Sequence, residues 1–265
     1  MKIIIAGSNT RNVEFQVKKY GGTKLYSILN EKKQIQEWDD DFFLMVDSGA
    51  HSWNKETITK IGMKRTSKLK PAAEFMRYYF NFIKKHAHRK LIFVEFDVYG
   101  HLPVEQIDKM YEEVMALNPV ARFIRVYHPI LDGGSLDVLR KWIDEGQEYI
   151  GIGNDSTPIL DDIFALTRDK VKLHGFAMTK LGLMEKYPFF SVDSTSPLST
   201  VIFGRYTRPI MSFNERDDIA AMKSIECFHL DHERIERAVI ETLRTEKYAT
   251  ELWAKKGVIW EDLKW

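Results

Sequence analysis

A single cysteine, Cys227, stands among the 265 residues. This excludes an internal disulfide and any Cys-rich zinc module, and a reducing, cytoplasmic compartment is the expectation. Charge of one sign is also missing. Lys and Arg number 39 against 38 Asp and Glu, a formal net charge of +1. Such a balance excludes a polycation that holds nucleic acid by bulk charge, and equally an acidic disordered tail. No apolar run approaches the ~18 residues of a membrane span. The opening MKIIIAGSN is too short for a signal segment and reads as a first strand. No Pro/Gly/Ser-rich linker and no internal repeat divides the chain, so residues 1–265 are expected to form a single domain.

What is present is a recurring short apolar run that ends in a polar residue or glycine. The runs are KIIIAG (2–7), FFLMV (42–46), LIFVEF (91–96), ARFIRVY (121–127), EYIGIG (148–153), VKLHGF (171–176), PFFSV (188–192) and TVIFG (200–204). Several are near-continuous in Val, Ile, Phe and Leu, as in strands buried on both faces. Helical spacing lies between most of them. Pro71 and Pro103 open two helices, the second stopping at Asn118-Pro119. Ser135 is the expected N-cap of a third and Gly146 its C′ residue. Thr157-Pro158 starts a fourth. Strand–helix alternation predicts an α/β fold, and eight strand candidates predict an irregular (β/α)8 TIM-type barrel over about 1–213. A helical C-terminal extension follows over 214–265, with 232–257 as one long helix on the outside of the barrel. Only 7 residues separate the last two runs, so the barrel is expected to be irregular there.

Chemistry in such barrels collects at the C-terminal strand ends. There the sequence places Asp47, Ser48, Gly49, Ala50 and His51, then Glu95 and Asp97, then His128, Gly151 to Asn154, His174 and Gly175, and Asp193, Ser194 and Thr195. Three carboxylates directly end apolar strands, where lost hydration demands a partner or a task. A helix cap or a structural hydrogen bond is the alternative for each.

These segments carry a family resemblance. LMVDSGAHSW, YIGIGN, KLHGFAM and FFSVDSTSP resemble, in order, motifs of the tRNA-guanine transglycosylase superfamily. They look closest to its DNA-modifying members in bacteria and phages, which exchange guanine in DNA for a 7-deazaguanine base such as 7-cyano-7-deazaguanine. The resemblance implies a covalent aspartyl-glycosyl intermediate with Asp193 as nucleophile and Asp47 as the proton-handling acid/base. It implies Asp97 on the base edge, with Ser48, Gly49, Gly151, Gly153 and His174 also binding substrate. The chemistry is coherent in its own right. Cleaving an N-glycosidic bond builds positive charge on the sugar, which a carboxylate can stabilise and capture. The departing purine needs a proton that the arriving one must lose. Glycines let a flat base approach the backbone; equally, Gly151 and Gly153 fit a crowded barrel, and Ser48-Gly49 fits a tight turn. No cofactor is implied.

The tRNA enzymes carry a Cys-rich zinc site, which a single cysteine cannot build. Ala50 and His51-Ser52 replace the family's second Gly and Phe-Gln. Both departures favour DNA over tRNA, with a free 7-deazaguanine base as second substrate and no membrane partner. Residues 55–70 hold six basic side chains and one acidic. Lys60, Lys64, Arg65 and Lys68 are the candidate nucleic-acid contacts on the catalytic face, a solvated loop being the alternative. The target nucleotide must be flipped or single-stranded, so a partner protein that opens the duplex is one expectation. Trp53, Tyr99 and Tyr127 are candidates for stacking it. His86 and His88, in a second basic run, are expected at the surface. The alternative function is a metal-dependent TIM-barrel hydrolase using His51, His101, His128 and His174 with the strand-end acids.

Overall fold

The computed structural model describes residues 1–7, 11–28, 44–50, 71–99, 101–168, 170–195, 198 and 231–263. In chain order its elements are β1 (Lys2–Ile5), α1 (Arg11–Lys19), β2 (Thr23–Ser27), β3 (Leu44–Asp47), α2 (Ala72–His86), β4 (Leu91–Val94), α3 (Val104–Met115), β5 (Arg122–Ile124), β6 (Val126–Tyr127), α4 (Asp137–Asp144), β7 (Tyr149–Ile152), α5 (Leu160–Thr167), β8 (Lys172–Gly175), α6 (Leu181–Lys186), β9 (Ser191–Ser194) and α7 (Asp231–Lys255). Short 3-10 segments at Pro129–Leu131 and Asn154–Ile159 precede α4 and α5.

The strand order is β5-β4-β3-β2-β1-β9-β8-β7-β6. Except for β5 and β6, which stand at the two ends of this order, chain neighbours are sheet neighbours, and the first strand joins the last. That is barrel order; a doubly wound sheet would reverse at a switch point. All the registered pairs are parallel. The expected class, an α/β fold of barrel type with a C-terminal helix packed on it, is therefore found.

Two compact units divide the chain. The first joins Met1–Leu25 to Gly146–Leu263. In it β1 lies between β2 and β9, with Ile4 opposite both Thr23 and Asp193. β8 lies between β9 and β7, with His174 opposite Ser191 and Gly151. Helix α7 buries Ile235, Val239, Thr242, Thr245 and Ala249, a stripe at three- and four-residue spacing, and packs on α1, β1 and α6. Its Glu246 accepts the Ile3 N–H at 2.6 Å, and Trp253 donates to the Met184 carbonyl at 2.7 Å.

The second unit is Tyr26–Glu145. Here β4 is buried at every position between β3 and β5. The run ARFIRVY makes two strands because Arg125 interrupts it. Its guanidinium bonds Glu95 Oε1 at 3.0 Å and Asp108 Oδ1, and lies 4.2 Å over the Trp142 ring. Glu95 Oε2 accepts the Val126 N–H at 3.1 Å and the Tyr99 hydroxyl at 2.7 Å. Three hydrogen bonds, two of them on Oε2, and the paired guanidinium offset the burial of this carboxylate.

Several expectations are corrected. TKLYS is a strand although Lys24 sits in it; that side chain is fully buried, donating to the Gly7 and Leu25 carbonyls at 2.8 and 3.0 Å. The N-cap position of α4 is Leu136, at φ 65°, and not Ser135, and its side chain makes no cap hydrogen bond. Asp132 does the capping from outside the helix, accepting the Val138 N–H at 3.0 Å. Gly146 follows α4 at φ 86°, as expected of a C′ glycine. His86 is buried rather than surface-exposed, its ring 4.6 Å from that of Phe82. The run at 200–204 lies outside the described residues.

Candidate active site at the strand ends

Asp193 is the third residue of β9 and only 8% exposed. Its Oδ1 accepts the backbone N–H of Ala177, in the turn after β8, at 2.9 Å. His174 Nε2 stands 3.4 Å from the same oxygen, too poorly aligned for a full hydrogen bond. Among the described residues no donor reaches Oδ2. Within the described residues the carboxylate is thus fixed through Oδ1, with no hydrogen bond on Oδ2.

Behind it lies a buried chain of polar groups. His174 Nδ1 is 2.7 Å from Ser191 Oγ, which is 2.5 Å from the Tyr149 hydroxyl. His174 and Ser191 have no exposed surface. Burial pushes the Tyr149 phenol well above its ordinary range, so it stays protonated. Gly175 is required beside them, since a Cβ there would come within 2.8 Å of the Phe189 ring.

In the other unit, Asp47 ends β3. Its Oδ2 accepts the Gly49 N–H at 3.1 Å, and Gly49 holds φ 81°, a left-handed turn that favours glycine. Ser48 is fully buried, its Oγ accepting the Ala50 N–H at 3.3 Å. Asp97 follows β4 and meets His128 Nε2 through Oδ2 at 2.7 Å, each side chain about one-fifth exposed. The edge of the Tyr99 ring faces His128, with centroids 5.8 Å apart. Asp47 and Asp97 both act on Tyr79, which donates to the Val46 and Val94 carbonyls at 3.1 and 2.8 Å. Its phenol is pushed well up, first by burial and then by these two charges.

The sequence-expected residues thus fall into two sets. Asp193, His174, Gly151 and Gly153 lie in one unit; Asp47, Ser48, Gly49 and Asp97 lie in the other. Gly153 has φ −65° and ψ 149°, ordinary extended backbone, so conformation does not demand glycine there. Gly151 and Gly153 are both buried. His174 faces Ser191 and Asp193 rather than solvent, and a substrate contact would require the ring to leave these partners. Tyr99 is tied to Glu95, and Tyr127 is buried, donating to Asp132 at 2.8 Å. Lys60, Lys64, Arg65, Lys68, His51 and Trp53 lie outside the described residues.

Sequence reasoning missed Tyr149, Ser191 and Ala177 as site residues. Ser191 carried a signal, a lone hydroxyl inside the apolar run PFFSV. Among the described residues no three His, Cys, Asp or Glu side chains stand close enough to share a metal ion. No helix among them is long and apolar enough to cross a membrane. The chain matches none of the protein-family models and none of the curated proteins with which it was compared.

Proposed function

We propose that the chain is a base-exchange glycosyltransferase that replaces guanine in DNA with a 7-deazaguanine base through a covalent bond to Asp193. One observation carries this reading. Asp193 is nearly buried at a C-terminal strand end, held through Oδ1 by a backbone N–H, with no donor among the described residues on Oδ2. That is the preparation a carboxylate nucleophile needs: a fixed orientation and a reactive oxygen not committed to structure.

In the proposed cycle Oδ2 attacks C1′ and the C1′–N9 bond breaks. Guanine departs with the bonding pair and takes up a proton. The incoming 7-deazaguanine gives up its N9 proton and attacks C1′, and the Asp193–C1′ ester bond breaks. The resemblance assigns the proton steps to Asp47 and the base edge to Asp97. Because Asp97 Oδ2 is occupied by His128, the base edge would fall to Oδ1. DNA as substrate follows the relatives that the motifs resemble and the single cysteine.

The test is incubation of protein and DNA with labelled guanine or labelled 7-cyano-7-deazaguanine. Incorporation is expected in the native protein and its loss in Asp193→Ala. A covalent protein–DNA adduct, trapped by denaturation during turnover, should vanish in the same variant. Unchanged incorporation by Asp193→Ala would refute the assignment.

A further inference from the structure

The hydroxyl–imidazole chain behind Asp193 has only one workable polarity. Tyr149 is protonated and has Ser191 Oγ as its partner at 2.5 Å, so it donates to that oxygen. His174 Nδ1, 2.7 Å away, is the other Ser191 partner among the described residues, and the buried serine proton has its acceptor there. An imidazole that accepts at Nδ1 carries its proton on Nε2. That N–H then faces Asp193 Oδ1 at 3.4 Å. The reverse polarity fails twice. It would leave the buried Tyr149 proton without an acceptor, and it would set the Nε2 lone pair against a carboxylate.

From this we infer that Tyr149, Ser191 and His174 form a positioning relay that fixes the imidazole with its Nε2–H toward Asp193, keeping negative charge on Oδ1 and Oδ2 turned to the reacting carbon. His174 acts through Asp193 and touches no reacting atom. The Ala177 N–H donates to Oδ1 at 2.9 Å, and His174 Nε2 faces the same oxygen at 3.4 Å without a full hydrogen bond. Rotation that exchanged its oxygens would break the Ala177 hydrogen bond and move Oδ1 away from the imidazole. The catalytic use of the relay rests on the base-exchange reading; its polarity does not.

The experiment is nitrogen NMR of protein labelled with 15N-histidine, the His174 ring being assigned by its loss in His174→Gln. The Nε2–H tautomer is expected of the neutral ring. A dominant Nδ1–H tautomer, or an even mixture, would overturn the relay. In Ser191→Ala and Tyr149→Phe the tautomer preference should weaken. The kcat for base incorporation should fall about three- to tenfold, the scale of one buried hydrogen bond, with KM unchanged. Equal kcat in both variants would refute the positioning role. A native protein that shows the Nε2–H tautomer but incorporates no base would leave the relay standing and remove the exchange reading.

Discussion

Ala177 donates its backbone N–H to Asp193 Oδ1 across 2.9 Å while held at φ 55°. A side-chain-bearing residue in the left-handed region costs about 1 kcal/mol. The side chain of Ala177 itself is exposed, so packing does not impose this conformation. The turn spends conformational energy at the point where it fixes the proposed nucleophile, as strained residues at functional sites do.

Substitutions at Ala177 should therefore separate backbone from side chain. Ala177→Gly relieves the strain but frees the unfolded chain by a similar amount, so stability should stay within about 0.5 kcal/mol. Ala177→Val places a β-branched residue where φ is positive and should cost about 1–3 kcal/mol. Urea titration reads both, and the Val variant should also lose base incorporation as its N–H leaves Oδ1. Equal stability of the two variants would contradict the strained geometry.

His86 makes the protein sensitive to acid. Burial, with Arg89, Lys85 and His88 nearby, lowers its pKa from 6.5 to about 4. A base whose folded pKa is depressed contributes stability above its unfolded value and loses it as pH falls from 6.5 toward 4. His86→Leu should remove this dependence, on the order of 1–2 kcal/mol after solvent screening. Thermal midpoints at pH 5 and pH 7.5 should converge in the variant. An unchanged difference between them would show that the ring does not titrate in this way.

Glu246 is the acceptor for the Ile3 N–H, and burial raises its pKa above the ordinary carboxyl value. With the folded value above the unfolded one, its contribution is full at low pH and declines as pH rises through the folded pKa. Glu246→Gln keeps an acceptor oxygen and removes the buried charge. At pH 7 it should match or exceed the native stability, whereas Glu246→Ala should lose about 1–2 kcal/mol through the orphaned N–H. Chemical denaturation at pH 5 and pH 8 distinguishes them.

Arg125 holds Glu95, which is 1% exposed and whose carboxyl is pushed up chiefly by burial. Arg125→Met should cost about 3–5 kcal/mol by leaving that charge unpaired. Adding Glu95→Gln should recover part of the loss. Arg125→Lys should also be destabilising, because an ammonium cannot reproduce the planar fork that meets two carboxylates over the Trp142 ring. Equal stability of the single and double variants would contradict the coupling.

Much of the architecture was legible because strands buried on both faces are written as apolar runs. β4 and β7, for example, are buried at every position. β2 was illegible because Lys24 breaks the run, and what neutralises that break is carbonyl oxygens, which no sequence pattern reports. The division of ARFIRVY at Arg125 depends on Glu95 and Asp108, 30 and 17 residues away. At the candidate site, strand-end position alone singled out Asp47, Asp97 and Asp193. The Tyr149–Ser191–His174 chain was hidden because register brings it together. His174 faces Ser191 across β8 and β9 only once those strands are paired, and residues inside two apolar runs give no sign of which hydroxyls will meet.

The fastening of Ile3 to Glu246, 243 residues later, bears on how the chain matures at the ribosome. Residues 26–145 are continuous and can condense as they emerge, while the unit holding β1 also needs residues 146–263. Closing so long a loop adds little to the equilibrium cost, but it delays completion of that unit. Until the last helix is made, Ile3, Ile4 and Ile5 lack their final cover, and that apolar segment stays open to other chains for as long as synthesis of the intervening residues takes.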